Sequence, residues 1–457
     1  MIQHKTKMLG AAVALALISV LSAAPVLAEV SATEAAKLGK ALTPMGAEPG
    51  ANAAGTIPAW TGGLTKPAAG YKEGGHYPDP YANDKVLFTI DAGNVDKYAA
   101  QLSPGQIAML KKYPGFKMNI YPTHRSAAMP QRHYEETIAN ATKAKLAPSG
   151  NGVAGTKGGV PFPIPQSGQE AIWNPLLRYR GDNYASNWGQ AAVTREGSYT
   201  MVRLEHDFVF HYGNLSMTDA QRDDNKLFDL IQRVTAPARL AGAVLLVKDY
   251  VDQDKRAREA WSYNPGQRRV RLAPNIAYDN PGTAADGLRT NDDFLLFNGA
   301  TDRYNWKLAG KKEMYIPYNS FNLRSNKHKY SDILKAGHLN SDLPRYELHR
   351  VWVLEATLKE GTSHIYKRRT FYIDEDSWMF VLVDKYDNRD QLWRFAEGHS
   401  IMTSAPFMSP YPQIHYDLQS GRYLAMGLMN EEPMVEAKIQ RSAGDFTPSA
   451  LRGEGTQ

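Results

Sequence analysis

The stretch that decides the fold reads Arg368-Arg-Thr-Phe-Tyr-Ile-Asp-Glu-Asp-Ser-Trp-Met379 and, after three intervening residues, Val383-Asp-Lys-Tyr-Asp-Asn-Arg-Asp-Gln-Leu-Trp-Arg-Phe395. Apolar and polar residues alternate along it, and this period of two is typical of β-strands. The groups Asp374-Glu-Asp-Ser377 and Asp387-Asn-Arg-Asp390 are rich in residues that favour turns. The stretch therefore predicts a meander of three antiparallel strands over residues 365–373, 378–386 and 391–397.

Strand patterns continue on the N-terminal side of this meander. Residues 345–358 alternate, residues 198–212 and 241–252 are rich in β-branched and aromatic residues, and Asn264-Pro-Gly266 predicts the turn of a hairpin over 258–272. One segment, 219–234, has Leu227, Leu230, Ile231 and Val234 at helical spacing and predicts a helix. Residues 191–440 are thus expected to form one large antiparallel sheet, and the polar tail 441–457 to be flexible.

The segment 29–190 has a different composition, with many Gly and Pro turns between short helices, for example over 94–98, 103–113, 134–145 and 170–179. Ser103 is the predicted N-cap of the helix over 103–113. It predicts an extended N-terminal arm that wraps the sheet. Its glycine-rich loop, 148–159, lacks the spacing of a phosphate-binding loop, because Lys157 is followed by glycine.

The first 28 residues have the pattern of a cleavable signal peptide. Lys5 and Lys7 precede an apolar run from Met8 to Leu21, and Val26-Leu-Ala28 supplies the small residues before a cut. The run is shorter than the roughly 20 residues that span a bilayer. We expect cleavage after Ala28 and a periplasmic protein, peripheral to the outer membrane at most.

Composition excludes several classes of function. The chain has no cysteine, which excludes disulfides, thiolate chemistry and lipidation at a cysteine. Without residues 1–28 it has 51 basic and 47 acidic residues, a formal charge of +4 that does not indicate nucleic-acid binding. Its 25 Tyr, 14 Phe and 8 Trp favour sheets with amphipathic surfaces.

Two resemblances extend this interpretation. Residues 260–272, 368–379 and 383–395 resemble the lipoprotein-carrier proteins of the bacterial periplasm. The chain as a whole is identified as a member of the family called domain of unknown function 1329 on the following segments: Glu34–Lys40, Leu42–Ala47, Gly55–Gly63, Gly158–Gln166, Trp173-Asn174 and the Tyr372-Ile-Asp-Glu-Asp block. The resemblance implies an α+β, β-rich fold, an open (half) β-barrel whose concave side is covered by helices. It also implies periplasmic partners, namely an inner-membrane exporter of the resistance-nodulation-division type and an outer-membrane β-barrel.

The sequence motifs favour binding over catalysis. No G-x-S-x-G nucleophile motif occurs, and carboxylate pairs for glycoside hydrolysis cannot be recognised from sequence alone. His133 and Glu136 could share one side of a helix as metal ligands, although a solvated helix end explains them better. The acidic groups at 374–376 and 387–390 lack the ligand series of a calcium loop and are better explained as turns. We therefore expect no catalytic residues, metal or cofactor.

The aromatic residues of the strands remain as candidates for an apolar cup, the alternative being an ordinary sheet core. The predicted ligand-binding residues are Trp261, Tyr263, Trp352, Phe371, Trp378, Phe380, Trp393 and Arg350, with Arg368 and Arg369 as further candidates for an anionic headgroup. The leading hypothesis is a carrier for a lipid or other hydrophobic ligand. A non-catalytic module that links exporter and barrel, and an envelope hydrolase, are the alternatives.

Overall fold

The computed structural model describes residues 30–223, 225–433, 439–442 and 444–455, so the predicted signal peptide and its cleavage site lie outside the described residues. The α-helices are α1 Ala32–Ala35, α2 Val95–Tyr98, α3 Pro104–Lys112, α4 Gln131–Asn140, α5 Gly168–Leu177, α6 Tyr330–Ile333 and α7 Leu451–Glu454, and the 3₁₀ helices are Ala99–Gln101 and Asn291–Leu296. The strands are β1 Phe88–Ile90, β2 Met118–Ile120, β3 Lys145–Leu146, β4 Val153–Ala154, β5 Asn183–Val193, β6 Met201–Phe210, β7 Lys226–Ala236, β8 Val244–Tyr250, β9 Glu259–Asn264, β10 Arg269–Leu272, β11 Tyr304–Pro317, β12 Tyr346–Leu358, β13 Arg368–Asp374, β14 Phe380–Tyr386, β15 Leu392–Gly398, β16 Ile401–Met402, β17 Met408–Ser409, β18 Gln413–Asp417 and β19 Tyr423–Leu428.

Fifteen of these strands form one sheet: thirteen lie in two antiparallel meanders, and β1 and β2 are attached at β12. Strands β5 to β10 follow one another in the first meander, and β11 to β15, β18 and β19 do so in the second. The meanders join where β19 pairs with β5, at Ala425 opposite Ala191. The end strands do not pair with each other, so the described strands form an open sheet and not a closed barrel. The predicted β-rich, antiparallel and open architecture is confirmed.

Both faces of the sheet are buried, and helices lie on each. Met109 and Leu110 of α3 pack into the core on one face, here called the α3 face. Ile172 and Leu176 of α5 pack into the core on the other, the α5 face. Successive residues of β12 enter different cores, Val353 on the α3 face and Leu354 on the α5 face. Strands buried on both sides lose strict alternation.

The prediction of a helix over residues 219–234 is wrong, because strand β7 occupies residues 226–236. The apolar residues that suggested a helical stripe belong to different cores on the two faces. Leu230 lies in the α5-face core, whereas Ile231 lies in a small core on the opposite side with Val209 and Leu246. Burial on both sides therefore produced a spacing that imitates a helix.

The tail predicted to be flexible is packed against the sheet over its described residues, 441–442 and 444–455. Phe446 and Leu451 are buried beside Ile231 and Tyr263. Arg441 also donates to Glu454 at 2.7 Å. Two apolar side chains thus anchor a segment whose overall composition is polar.

The segment 29–190 contributes more than an arm. Its strands β1 and β2 extend the sheet beyond β12, where Ile120 lies opposite Tyr346. Helix α3 begins with the predicted cap: Ser103 accepts from the backbone of Gln106, whose side chain accepts from the backbone of Ser103. Strand β5 spans the boundary predicted at residue 190. Within the described residues no helix is long and apolar enough to cross a membrane.

Candidate ligand-binding site

Four of the predicted ligand-binding residues meet on the α5 face. Phe371 and Phe380 have ring centroids 5.3 Å apart, and Trp352 and Trp378 stack at 5.8 Å. Phe371, Trp378 and Phe380 are buried, and Trp352 is half-buried. The Trp378 indole also donates to the Met45 carbonyl at 2.8 Å, so residues of the N-terminal segment already contact this group.

The other predicted aromatic residues lie elsewhere. Trp261 and Tyr263 pack with Phe446 of the tail on the side opposite the α5 face. Trp393 donates to Asp417 at 3.1 Å and meets the edge of Tyr366 at 5.8 Å. The structure therefore divides the predicted list between the two faces of the sheet.

The predicted headgroup arginines all have acidic partners. Arg350 lies 3.4 Å from Glu375, and Arg368 lies 3.0 Å from Asp390. Arg369 is fully buried and lies 2.7 Å from Asp292. Each positive charge is thus compensated within the fold.

A separate aromatic chamber of about 120 Å³ lies on the α5 face near the junction of the two meanders. Strand β5 places Tyr184, Ser186 and Trp188 in its wall, because residues two apart point to the same side of a strand. The N-terminal segment supplies Tyr71 and Tyr77. The remaining lining comes mainly from the segment after β15, namely Thr403, Ser404, Ala405, Phe407, Ser409 and Tyr411, with Arg324 and Met429.

The two arm tyrosines form one side of this chamber. Tyr71 and Tyr77 stack with their rings 4.7 Å apart, and both phenols lie 3.2 Å from the Ser404 hydroxyl. This contact joins the arm to the loop between β16 and β17. Gly75 and Tyr77 also line an adjoining polar cleft of about 760 Å³ that contains Asp79 and Arg345.

Two polar atoms of the chamber residues are buried without a hydrogen-bond partner. They are the indole nitrogen of Trp188 and the hydroxyl of Ser186. Buried polar groups are almost always paired, so such atoms call for an explanation. Asp182, in contrast, is engaged by the backbone nitrogens of Leu215 at 2.8 Å and Ser216 at 3.1 Å.

Buried arginines surround the chamber. Arg324 lines it, and Arg178 and Arg180 lie in electrostatic reach of its Tyr184 and Tyr411. Burial lowers the pKa of Arg178 to about 9 and that of Arg324 to about 10. The pKa of Arg180 is also lowered by burial. Burial is therefore the dominant influence on all three guanidinium groups.

A second polar cluster contains the best arrangement of metal-type donors among the described residues, His349, Asp374 and Asp376. Two of these residues are engaged by neighbours: Arg125 donates to both oxygens of Asp376, at 2.6 and 2.9 Å, and His349 lies 3.0 Å from Glu347. One oxygen of Asp374 is buried without a hydrogen-bond partner. Burial, together with the neighbouring Asp376, raises the pKa of Asp374 to about 6.

The turn in this cluster agrees with the sequence. Asp374 accepts from the backbone and hydroxyl of Ser377, at 3.1 and 2.5 Å. The backbone nitrogen of Trp378 donates to the Asp374 carbonyl at 2.9 Å. The group at 374–377 is therefore the hairpin turn between β13 and β14, as predicted.

The family model described as "Protein of unknown function (DUF1329)" matches residues 89–452. The chain belongs to the DUF1329 family. This DUF1329 chain is 52% identical over 440 residues to an uncharacterized protein of Pseudomonas aeruginosa, PA3922, with 96% of each chain covered.

Solved structures similar to this DUF1329 chain include a DUF1329 family protein from Desulfovibrio piger and a LolA superfamily protein from Nitrosomonas europaea. The first is 16% identical, covers 59% of this chain and 92% of its own, and has a TM-score of 0.40. The second is 13% identical, covers 62% and 97%, and has a TM-score of 0.37.

Sequence reasoning did not find the residues of the aromatic chamber. A usable signal existed in Tyr184, Ser186 and Trp188, which alternate along one strand next to the pair Arg178 and Arg180. The two arginines follow a helix end, a position usually exposed to solvent, and nothing local indicates that they are buried.

Proposed function

We propose that this protein is a non-catalytic periplasmic carrier that binds a lipid or other hydrophobic ligand and passes it between envelope partners. The observation that supports the proposal is the aromatic chamber with its unpaired indole and hydroxyl groups. Ligand sites are typically apolar concavities with a few placed polar groups. The inner-membrane exporter and outer-membrane β-barrel belong to the proposal as partners.

The size of the chamber limits how much of a ligand it encloses. A dry apolar cavity of about 150 Å³ accommodates one benzene ring, so about 120 Å³ suits a ring or a short alkyl segment. A longer ligand would extend past Tyr77 and Gly75 into the adjoining cleft. Separation of Tyr71 and Tyr77 from Ser404 would widen the entrance, at the cost of hydrogen bonds between neutral hydroxyl groups, each contributing about 1 kcal/mol.

The docking-module alternative has less support. It requires an exposed apolar patch. Among the described residues, the exposed large apolar side chains are Val86, Leu87, Ile138 and Leu272. Only Val86 and Leu87 are neighbours in sequence, and two side chains are a small surface for a stable contact.

The hydrolase alternative would need an acid such as Asp374, whose pKa is raised to about 6 and which lies beside His349 and Asp376. This carboxyl is fully buried and receives hydrogen bonds from Ser377 and Tyr318. A general acid needs access to its substrate, so the observations favour binding.

Native mass spectrometry on protein purified from the periplasm of its own host, with extraction of any bound molecule, tests the carrier proposal. We expect a defined hydrophobic compound at close to one per protein. Ser186→Leu would fill part of the chamber and should reduce the occupied fraction, whereas Ala185→Leu, on the other face of β5, should leave it unchanged. An unliganded mass for the native protein, with no uptake of offered fatty acids or phospholipids, would refute the proposal.

A further inference from the structure

We infer that the ligand is an anionic amphiphile, whose carboxylate or phosphate group is held among the arginines of the chamber and whose apolar part contacts the aromatic wall. This inference rests on the proposed carrier function and specifies its ligand class. The named set is Arg178, Arg180 and Arg324, here called the chamber arginines.

Within the part of the chain that the structure describes, the chamber arginines donate only to neutral acceptors. Arg178 donates to the Met408 carbonyl at 3.0 Å, and Arg180 donates to the Leu176 carbonyl at 3.3 Å. Arg324 donates to the Ser409 hydroxyl at 3.1 Å and to the Met429 sulfur at 2.9 Å. None of the three forms an ion pair with a carboxylate of the described residues.

Three other buried arginines of the fold are paired with carboxylates, whereas Arg289, which donates to the Thr290 carbonyl, resembles the chamber arginines. Arg125 pairs with Asp376 at 2.6 Å, Arg345 with Glu347 at 2.5 Å and Arg369 with Asp292 at 2.7 Å. The neighbouring carboxylates raise the pKa of these arginines although burial opposes it. At the chamber arginines burial prevails and the pKa falls.

Two of the chamber arginines reach the same short segment of the chain, Arg178 at the Met408 carbonyl and Arg324 at the hydroxyl of the neighbouring Ser409, which lines the chamber. Tyr411 interacts electrostatically with Arg178 and Arg180, and Arg324 interacts with the same tyrosine. The ring of Trp188 lies 4.4 Å from that of Tyr411, and its indole nitrogen is a buried donor without a partner. The positively charged Arg324 and the unpaired indole donor of Trp188 therefore belong to the lining of the same aromatic chamber.

The guanidinium and indole groups at the chamber require a ligand that accepts hydrogen bonds. Guanidinium and indole groups can only donate hydrogen bonds. Asp182 is the sole carboxylate among the described lining residues, and backbone nitrogens engage it. An uncompensated buried charge is strongly unfavourable, and an anionic group with several acceptor oxygens would compensate it. The aromatic wall explains why that anion should carry an apolar part.

The test compares octanoate, octyl phosphate and 1-octanol in titration calorimetry at pH 7, with inorganic phosphate alone as a fourth probe. Octanoate, octyl phosphate and 1-octanol all carry an eight-carbon chain, whereas inorganic phosphate carries none. Comparison of the two octyl anions distinguishes a carboxylate from a phosphate headgroup. We expect at least one octyl anion to bind about 10- to 100-fold more tightly than 1-octanol, the range for a hydrogen bond to a charged group.

Variants locate the effect. Arg324→Gln should remove the preference for the anion, Arg324→Lys should retain part of it, and Arg368→Gln, whose partner Asp390 lies outside the chamber, should leave it intact. Without ligand, Arg324→Gln should also melt at a higher temperature than the native protein, because it removes an uncompensated charge. A purely structural arginine would give the opposite shift.

The outcomes separate the two proposals. Equal binding of octanoate, octyl phosphate and 1-octanol would overturn the anion inference and leave the carrier function standing. Absence of binding by all three octyl compounds would refute both. Inorganic phosphate that competes as well as octyl phosphate would show a simple anion site and overturn the amphiphile. A preference that Arg324→Gln leaves unchanged would overturn the assignment to the chamber.

Discussion

Asp384 makes the stability of this protein depend on pH in an unusual direction. Its carboxyl is fully buried on the α3 face, where one oxygen accepts from the Gly105 backbone at 2.9 Å and from the Ser103 hydroxyl at 3.2 Å. The other oxygen accepts from the Tyr372 phenol at 3.1 Å. Burial outweighs these hydrogen bonds and raises the pKa of Asp384 from 3.8 to about 7.

The sign and size follow from proton linkage. A folded-state pKa above the unfolded value means that the folded protein holds its proton more tightly, so this contribution to stability is complete below pH 3.8 and is lost as pH rises to about 7. A difference of about 3 pKa units at about 1.4 kcal/mol each gives a loss of about 4 kcal/mol over this window.

Asp384→Asn should abolish that loss. The amide oxygen can accept from Gly105 and Ser103, and the amide nitrogen can donate to the Tyr372 oxygen, as the protonated acid would. Urea unfolding followed by tryptophan fluorescence between pH 4 and pH 8 measures the effect. We expect the variant to gain about 4 kcal/mol relative to the native protein as pH rises. Asp91→Asn, an exposed change of the same type, is the control. Parallel pH curves for Asp384→Asn and the native protein would refute the reasoning.

Two further predictions concern packing. Gly105→Ala should lower the free energy of unfolding by about 1–3 kcal/mol, because the added carbon would lie 2.2 Å from the Phe395 ring, whereas Gly50→Ala, with no atom within 4 Å, should be neutral in the same thermal melts. Phe446→Ala should cost about 3 kcal/mol, since Phe446 is buried against the sheet, and Ser449→Ala should not. A Phe446→Ala variant with native stability would show that the tail contributes nothing, in agreement with the flexible tail predicted from sequence.

The sequence predicted features that depend on local patterns. The period of two around residues 345–397, the turn at Asp374 and the cap at Ser103 each need only a few neighbouring residues. Strand β7 was mistaken for a helix because burial on both faces removes the alternation on which the prediction depends. The tail was misjudged because Phe446 and Leu451 are anchored by partners more than 180 residues away in sequence, among them Ile231 and Tyr263.

The candidate site shows the same limit more clearly. Aromatic residues on strands were recognised as candidates for an apolar site, but their distribution between the faces depends on register and on which segments cover each face. Arg178 contacts the Met408 carbonyl, 230 residues away in sequence. That no carboxylate of the described residues pairs with it is a property of the assembled fold, and no local pattern encodes it.

The pairing of β19 with β5 determines the order in which parts of the sheet can form during synthesis. A chain that emerges N-terminus first can complete the meander β5 to β10 early, but residues 183–193 then have an open edge until residues 423–428 arrive. Unpaired strand edges invite association with other chains. Closing this seam also requires a contact across more than 220 residues, which slows folding. Chaperones that shield a nascent sheet would therefore bind this protein at β5. They would be needed until the second meander has been synthesised.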